Sequence, residues 1–440
     1  MTNKKIDVIV IGAGPAGISA AKILADNGKK VLIVDRANEA GEKNMFGGAI
    51  YTHQTQEIFP EFWKSAPIER GISEQKIFML TDTESNEINN NTYKQNEFNA
   101  YSVNRAKWDK WCVEEIIKKG GYYAPKTLVK ELIIENNKVV GIQTELERYY
   151  ANIVIIADGV NSLLSKQIGL RKDIKDKDVT LNVKEVIKLP KDVIENRFNL
   201  DENSGCACKI LGGPLKDMFA LGFMYTNKES ISIGFGVGLD ELKKIKKTPY
   251  ELLDELKNHP AIHKYIKDGE TIEYSAHMIP EGGFNCMPKL YADGVMVVGD
   301  AAMFVNNVHM EGTNLAMLSG KLAAVTAIEA LNQNDFSKKT LSLYEKKIKN
   351  SIIYKDLKTH KNTISVLKKN IKTLTTLYPE LIGDFIKLIS DADGIDKRTK
   401  YLCFVKKIIT TGAIFKTIPL AFMAMGKCIK RWTLMKNYQL

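Results

Sequence analysis

The sequence predicts an α/β fold with one parallel and one antiparallel sheet. The β-branched run at 6–11 enters a glycine-rich turn and then a helical stretch, which is the order of elements in a parallel sheet. Two further apolar runs, at 153–156 and 295–298, each suit a buried parallel strand. By contrast, 179–191 and 219–238 alternate apolar and polar residues, as antiparallel strands do. We therefore expect two different sheets in this chain.

The glycine-rich turn has the spacing of a dinucleotide site. Gly12, Gly14 and Gly17 form G-x-G-x-x-G: the first permits a tight turn, the second a close approach of backbone to a pyrophosphate, and the third close helix packing. The helix from Pro15 presents its N-terminal amides to that phosphate. The next expected strand is Val31 to Val34, and Asp35 ends it at the position where a carboxylate binds the ribose hydroxyls. Both FAD and NAD sites use this fingerprint.

Two later segments favour FAD. The strand at 295–298 is followed by Gly-Asp-Ala-Ala, with Asp300 as the acid, and a strand ending in Gly-Asp is the element with which large flavoproteins hold the ribityl and pyrophosphate groups of FAD. A helix opening near Gly312 would direct its positive end at the flavin pyrimidine edge, where negative charge develops on reduction. The strand at 153–156 ends similarly, in Asp158-Gly159. Arg105, on a helix that begins near Asn104, is either an FAD contact or a surface cation.

These elements resemble the glutathione-reductase-type FAD domain, in its hydroxylase and geranylgeranyl-reductase branch, where the arginine of an R-x-x-x-D-x-W helix reaches the FAD. The segments GEKNMFGGAIYTH (41–53) and YSAHMIPEGG (274–283), with Asn306-Asn307, are similar to those of FixC-type proteins, relatives of electron-transfer-flavoprotein:quinone oxidoreductase. The candidate cofactor-binding residues are Gly12, Gly14, Ala16, Gly17, Asp35, Arg36, Asn44, Gly48, Arg105, Asp158, Gly159, Asp300, Gly312, Thr313 and Asn314.

The resemblance implies an FAD-dependent electron-transfer enzyme. Its expected partners are the two subunits of an electron transfer flavoprotein, a small ferredoxin-like iron–sulfur subunit and a quinone. The alternative is a flavin-dependent reductase of a geranylgeranyl or other polyprenyl lipid, since that branch shares the FAD elements. Those lipid reductases carry Y-x-W-x-F-P where this chain has Tyr274 to Pro280, and often a cysteine where it has Phe46. A non-enzymatic binding module is the third class.

The Pro-Glu-Gly-Gly segment carries the candidate catalytic residues. Gly282 and Gly283 lack side chains, so a flat ring could come close to the backbone there. His277 or Glu281 could shuttle protons to a reduced quinone. The alternative for both is a hydrogen-bonded structural role.

The cysteines and histidines indicate neither a metal site nor a disulfide framework. Six of each are scattered without a C-x-x-C pair or metal-ligand spacing, so an iron–sulfur cluster would have to come from a partner. Cys206 and Cys208 are either inert thiols or a weak redox pair. The cysteine pattern and the absence of a signal sequence predict a cytoplasmic protein. We found no stretch of the roughly 20 apolar residues that span a bilayer.

The predicted domains are an FAD-binding domain of 1–80 together with 100–170 and 290–335, a β-sheet substrate or quinone domain of 81–99 together with 171–289, and a basic helical C-terminal region of 336–440. The net charge of +11 lies in the last quarter, since 331–440 holds 22 Lys and Arg against 8 Asp and Glu. The nearly neutral remainder does not indicate nucleic-acid binding.

The basic tail has three possible roles. From Tyr401 onward it has seven cations and no acid around the apolar run 412–426. Such a segment suits the inner face of an anionic cell membrane, an acidic ferredoxin, or a helical cap on its own protein.

Overall fold

The computed structural model describes residues 6–43, 48–92 and 98–412 of the 440-residue chain. The chain divides into two compact units. Unit 1 comprises Met1–Ile72, Lys94–Asn182 and Ser275–Lys358. Unit 2 comprises Ser73–Tyr93, Val183–Tyr274 and Thr359–Leu440.

The described residues form seventeen strands and fourteen α-helices. The strands are β1 (Ile6–Ile11), β2 (Val31–Val34), β3 (Ala49–Tyr51), β4 (Ile68–Leu80), β5 (Ser85–Asn91), β6 (Ala100–Val103), β7 (Tyr122–Ala124), β8 (Val129–Glu135), β9 (Lys138–Thr144), β10 (Arg148–Ile156), β11 (Val179–Lys188), β12 (Ser204–Gly212), β13 (Ala220–Thr226), β14 (Ser230–Gly238), β15 (Glu270–Pro280), β16 (Tyr291–Ala292) and β17 (Val295–Val297). The α-helices are α1 (Pro15–Asp26), α2 (Thr52–Gln56), α3 (Arg105–Lys118), α4 (Leu163–Gln167), α5 (Lys191–Phe198), α6 (Leu239–Leu242), α7 (Pro249–Asn258), α8 (Pro260–Ile266), α9 (Thr313–Gln333), α10 (Lys338–Asn350), α11 (Ile352–Thr359), α12 (Thr363–Lys369), α13 (Tyr378–Ser390) and α14 (Lys397–Thr411).

A mainly parallel sheet forms the centre of unit 1. Its strand order is β16-β17-β10-β1-β2-β7, and β1 pairs in parallel with both β10 and β2. At the carboxyl ends, Ile11 lies opposite Ile156 and Val34. The apolar runs are buried on both faces, as parallel strands covered by helices must be. The expected strands at 6–11 and 31–34 and the helix from Pro15 are confirmed.

Two helices of unit 1 pack closely beside this sheet. Gly320 of α9 lies against α1 so tightly that a Cβ at this position would be 2.0 Å from the carbonyl oxygen of Ala16. By its length and apolar composition α9 could cross a membrane, but most of it is buried inside the structure. α9 is therefore a core helix of unit 1.

Unit 2 contains the antiparallel sheet that the alternating segments predicted. Its strand order is β15-β11-β14-β13-β12-β4, and β5 pairs with the outer part of β4. β13 and β14 form a hairpin, in whose turn the amide of Asn227 donates to the carbonyl of Ser230 at 2.8 Å. Helices α12, α13 and α14 also belong to this unit.

The division of the chain differs from the predicted domains at several boundaries, since 73–80 groups with unit 2 and 171–182 with unit 1. The segment 275–289 groups with the parallel sheet of unit 1, although we expected it in the sheet domain. The expected C-terminal region is not separate, because 336–358 groups with unit 1 and the described residues beyond it with unit 2. The phenol of Tyr344 shows why 336–358 groups with unit 1: it donates to the carbonyl of Val297 in the parallel sheet at 3.0 Å.

The tight contact at Gly320 generates a test of stability. We expect Gly320→Ala to lower the free energy of unfolding by about 1–3 kcal/mol, because the added methyl group would force two helix backbones apart. Urea unfolding followed by circular dichroism measures this change. Gln333→Ala, at the exposed end of the same helix, is the control and should be nearly neutral. Equal stability of the two variants would contradict the packing argument.

Candidate active site

The turn after β1 has the geometry that brings backbone amides to an anion. Gly12 has φ of +104°, and a Cβ there would lie 2.3 Å from the carbonyl oxygen of Ala157. A Cβ on Gly17 would lie 1.9 Å from the carbonyl oxygen of Gly12. At Gly14, by contrast, a Cβ would meet no described atom within 4 Å. The open side of Gly14 therefore leaves the N-terminus of α1 accessible to a phosphate.

A cavity of about 300 Å³ opens at this turn in unit 1. It is lined by residues at the carboxyl ends of β1, β2 and β10, in the loop after β17, and at the N-termini of α1 and α9. Twelve of the predicted site residues line it: Gly12, Gly14, Ala16, Asp35, Arg36, Arg105, Asp158, Gly159, His277, Asp300, Gly312 and Thr313.

The other predicted residues do not line this cavity. Gly17 packs against the turn itself, and Gly48 accepts a backbone hydrogen bond from Val103 at 2.8 Å. Asn314 is buried in the first turn of α9, and its Oδ1 has no hydrogen-bond partner among the described residues. Asn44 lies outside the described residues. The remaining three residues belong to the Pro-Glu-Gly-Gly segment.

Asp35 organises the turn as well as the nucleotide end of the cavity. Its Oδ2 accepts a hydrogen bond from the amide of Ala13 at 2.7 Å, and its Oδ1 accepts one from the amide of Ala37 at 2.8 Å. A carboxylate oxygen has more than one acceptor position, so Asp35 can still accept from a ribose hydroxyl.

Two half-buried carboxyl groups, of Asp158 and Asp300, line the cavity. Burial raises the pKa of Asp158 to about 6, partly offset by hydrogen bonds from Ser162 and the amide of Leu164 and by the charge of Arg171. Burial also raises the pKa of Asp300 to about 6. Within the described residues, Oδ1 of Asp158 lacks a hydrogen-bond partner. Buried acceptors of this kind need donors, and hydroxyl groups of FAD would supply them.

Arg105 is an internal cation of the cavity wall and not a surface residue. Its side chain is buried, and its guanidinium forms two hydrogen bonds with the fully buried Asp109, at 2.9 and 2.6 Å. Asn104 caps the helix by accepting from the amide of Ala106. The two hydrogen bonds to Asp109 fix the guanidinium of Arg105 at the cavity. The positive charge of Arg105 still lowers the pKa of Asp300.

His277 brings a neutral imidazole into the same cavity. Burial lowers its pKa, and the positive charges of Arg105 and Arg36 lower it further. The ring is therefore uncharged near neutral pH, with one nitrogen that donates a hydrogen bond and one that accepts.

The Pro-Glu-Gly-Gly segment is held by backbone hydrogen bonds and packs against Cys286 of the same loop. The amides of Glu281 and Gly282 donate to the carbonyl of Asp178 at 2.7 and 3.1 Å. A Cβ on Gly282 would lie 2.5 Å from Sγ of Cys286, so the space that we expected a flat ring to use contains this thiol. Gly283, at φ of +48°, is open but does not line the cavity. Among the four predicted catalytic residues, His277 alone belongs to the cavity wall.

Sequence reasoning missed Arg171. This residue follows α4 in an unremarkable Leu-Arg-Lys stretch, and its sequence neighbours give no sign of its role. In the structure its guanidinium is buried and donates to the carbonyls of Val160 and Ala301, at 2.7 and 3.3 Å.

In the described part of the chain, no group of three or more His, Cys, Asp or Glu side chains is arranged to hold a metal.

Comparison with known proteins agrees with the chemistry of this cavity. Residues 5–349 match the family described as "FAD binding domain". The chain is 37% identical over 409 residues to Protein FixC of Azorhizobium caulinodans, covering 91% of this chain and 93% of that one. It is 38% identical over 426 residues to Protein FixC of Rhizobium meliloti, covering 94% and 96%.

A solved structure shows the same fold. It is described as a geranylgeranyl bacteriochlorophyll reductase-like protein from Thermoplasma acidophilum, and it aligns with a TM-score of 0.70 over 92% of this chain and 99% of its own. At 22% identity, this likeness concerns the fold alone. The open glycine turn, the buried acceptors and the two helix N-termini fit FAD as the cofactor. The chain belongs to the FixC family and is an FAD-dependent oxidoreductase.

Proposed function

We propose that this oxidoreductase accepts electrons from an electron transfer flavoprotein and passes them to a quinone-like acceptor, together with a ferredoxin-like subunit. The observation that carries the proposal is the neutral, buried His277 in the wall of the FAD cavity. It lies in the Tyr274–Gly283 segment, where the sequence resembles FixC-type proteins and departs from lipid reductases.

The state of His277 suits the proton requirement of a quinone. FAD, when bound, supplies electron transfer in steps of one or two electrons. Complete reduction of a quinone also needs two protons, which a nearby side chain must deliver or relay. A neutral imidazole can donate its N–H to a carbonyl oxygen and take up a proton on its other nitrogen. Because Arg105 and Arg36 disfavour the protonated ring, His277 would release that proton readily.

The iron–sulfur cluster in this scheme belongs to a partner. The six cysteines of the chain are dispersed, and the five in the described residues are free thiols. Cys206 and Cys208 are buried with their Sγ atoms 3.6 Å apart, and burial raises the pKa of the Cys208 thiol. This favours inert thiols over a redox pair, because the thiol form is unreactive.

The described part of the basic tail, together with the preceding helix α13, supports a peripheral membrane contact at which a quinone could be reached. Large apolar side chains are exposed on α13 and on α14, among them Phe385, Ile389, Leu402 and Ile409. The chain beyond residue 412 adds an apolar run and five more cations. An apolar surface flanked by cations is suited to the interface of an anionic bilayer.

One anaerobic experiment separates the two enzymatic functions. Reduced electron transfer flavoprotein is added to the FAD-loaded protein with and without a menaquinone analogue, and the flavin absorption band is followed. We expect the band to bleach and then to recover when the quinone is present. Reduction by NADPH with reoxidation by a polyprenyl lipid, and no response to the flavoprotein, would establish the lipid reductase instead.

Gly14 offers a test of the FAD site that leaves the fold intact. We expect Gly14→Val to fold normally but to bind FAD at least about 100-fold more weakly, because its side chain would enter open space that the pyrophosphate needs. Flavin fluorescence quenching measures the affinity, and circular dichroism measures folding. Gly12→Ala is the contrasting variant, since it should lower stability through the contact with Ala157. Tight FAD binding by Gly14→Val would overturn this placement of the pyrophosphate.

The role of His277 predicts a selective kinetic defect. We expect His277→Gln to retain FAD and to accept electrons from the flavoprotein, while quinone reduction slows by about 10²-fold or more, the usual contribution of general acid–base catalysis. Stopped-flow measurement of the two half-reactions distinguishes them. If both half-reactions proceed at the wild-type rate, His277 has no part in proton transfer.

The membrane contact is tested with vesicles that contain phosphatidylglycerol. We expect the double change Leu402→Ser and Ile409→Ser to weaken vesicle binding by about tenfold or more, since burying each apolar side chain is worth about 1.5–3 kcal/mol. Leu146→Ser, which replaces an exposed leucine in unit 1, is the control. Binding that is unaffected by the double change, or equally strong on neutral vesicles, would contradict the contact.

A further inference from the structure

Arg171 is a buried cation without a directly paired carboxylate in the described residues. Its side chain is 8% exposed. In the described part of the chain, Arg171 takes part in none of the ion pairs, so no carboxylate oxygen lies within 4.0 Å of its guanidinium nitrogens. A buried charge is costly unless it is compensated. The compensation for Arg171 must therefore come from hydrogen bonds and from charges somewhat farther away.

The hydrogen bonds of Arg171 join two loops that carry cavity residues. Nη1 donates to the carbonyl of Val160 at 2.7 Å and to that of Ala301 at 3.3 Å. Val160 is two residues after Asp158, and Ala301 directly follows Asp300. Nη2 also lies 3.5 Å from Sδ of Met303, at the end of the second loop. One side chain thus fixes the spacing of the two loops from which Asp158 and Asp300 face the cavity.

The charge of Arg171 acts on the same two carboxyl groups. It lowers the pKa of Asp158 and of Asp300, against the larger effect of burial. The other groups that act on Asp158 are the Ser162 hydroxyl and the Leu164 amide, and Arg105 also acts on Asp300.

Two other titratable side chains lie near Arg171 or the cavity, and each has its own charged neighbours. The thiol of Cys286 interacts with Arg171, and its pKa is raised by burial and by Asp178 and lowered by Lys177. The imidazole of His277 faces Arg105 and Arg36. None of these groups replaces Arg171 as a cation shared by both carboxyl groups.

We propose that Arg171 is a positioning residue of the FAD site, whose guanidinium bridges the two loops and supplies the shared counter-charge for Asp158 and Asp300. Both carboxylates then accept hydrogen bonds from hydroxyl groups of FAD. Arg171 does not line the cavity, so it acts through these residues and not by touching the cofactor. The inference rests on the FAD site and is independent of the electron donor and acceptor.

The direction of the pH dependence follows from this arrangement. Only the ionised carboxylates accept hydrogen bonds at both oxygens, so FAD affinity falls as the pH drops through their pKa, near 6. Removing the positive charge of Arg171 raises both pKa values. The loss of affinity then begins at a higher pH.

The test is a titration of FAD-depleted protein with FAD, followed by flavin fluorescence, between pH 5.5 and 8.5. We expect Arg171→Met to bind FAD about 10–100-fold more weakly at pH 7, and the pH of half-maximal affinity to rise. Arg171→Lys keeps the charge but loses the fork, so its affinity should fall while its pH midpoint stays near that of the wild type. Arg148→Met, which removes an exposed arginine of the same unit, is the control.

A double change distinguishes positioning from general destabilisation. Asp158→Asn removes one titrating group, so Arg171→Gln should cost less FAD affinity in that background than in the wild type. Arg171→Gln also replaces Arg171→Met if the latter fails to fold. Wild-type affinity in both neutral variants would overturn the proposal. So would equal losses at every pH in the Lys, Met and Gln variants.

Discussion

The close approach of backbone to backbone around α1 is the constraint on which the rest of unit 1 depends. Gly12, Gly17 and Gly320 each lie where a Cβ would fall within 1.9–2.3 Å of a carbonyl oxygen. Since no side chain separates these segments, α1 starts directly at the end of β1 and lies directly on α9. Two helix N-termini consequently reach the same cavity, where their partial positive charges add.

That concentration of positive charge explains the acids in the cavity wall. A site that binds a diphosphate needs positive potential, but uncompensated cations would also be costly to bury. Arg105 is neutralised locally by Asp109, whereas Arg171 is balanced at longer range by Asp158 and Asp300. The first arrangement fixes a side chain at the cavity. The second leaves two carboxyl groups with acceptor capacity, which a ligand rich in hydroxyl groups can use.

Local sequence patterns predicted most of unit 1, and tertiary contacts account for what they missed. β1 and β2 have the predicted bounds because strand, glycine turn and terminal aspartate follow one another in the chain. The thiol beside Gly282 was not predicted, because Cys286 approaches this glycine only when the following turn of the loop folds back. Arg171 had no local signal at all, since its partners are up to 132 residues away. Domain boundaries inside β4, β11 and β15 were also invisible to a local pattern.

Most of the cavity wall is supplied by the strand–turn–helix units of the fold, whereas His277 is not. Glycine turn, helix N-termini and half-buried acids hold a flavin whatever its electron acceptor, which is why proteins with this fold can differ in chemistry. His277 comes instead from the end of β15, outside the strand–turn–helix units. Its protonation depends on Arg105 and Arg36, which also line the FAD cavity. The protonation of His277 is therefore coupled electrostatically to the FAD cavity, and a change of negative charge there would alter the basicity of the imidazole.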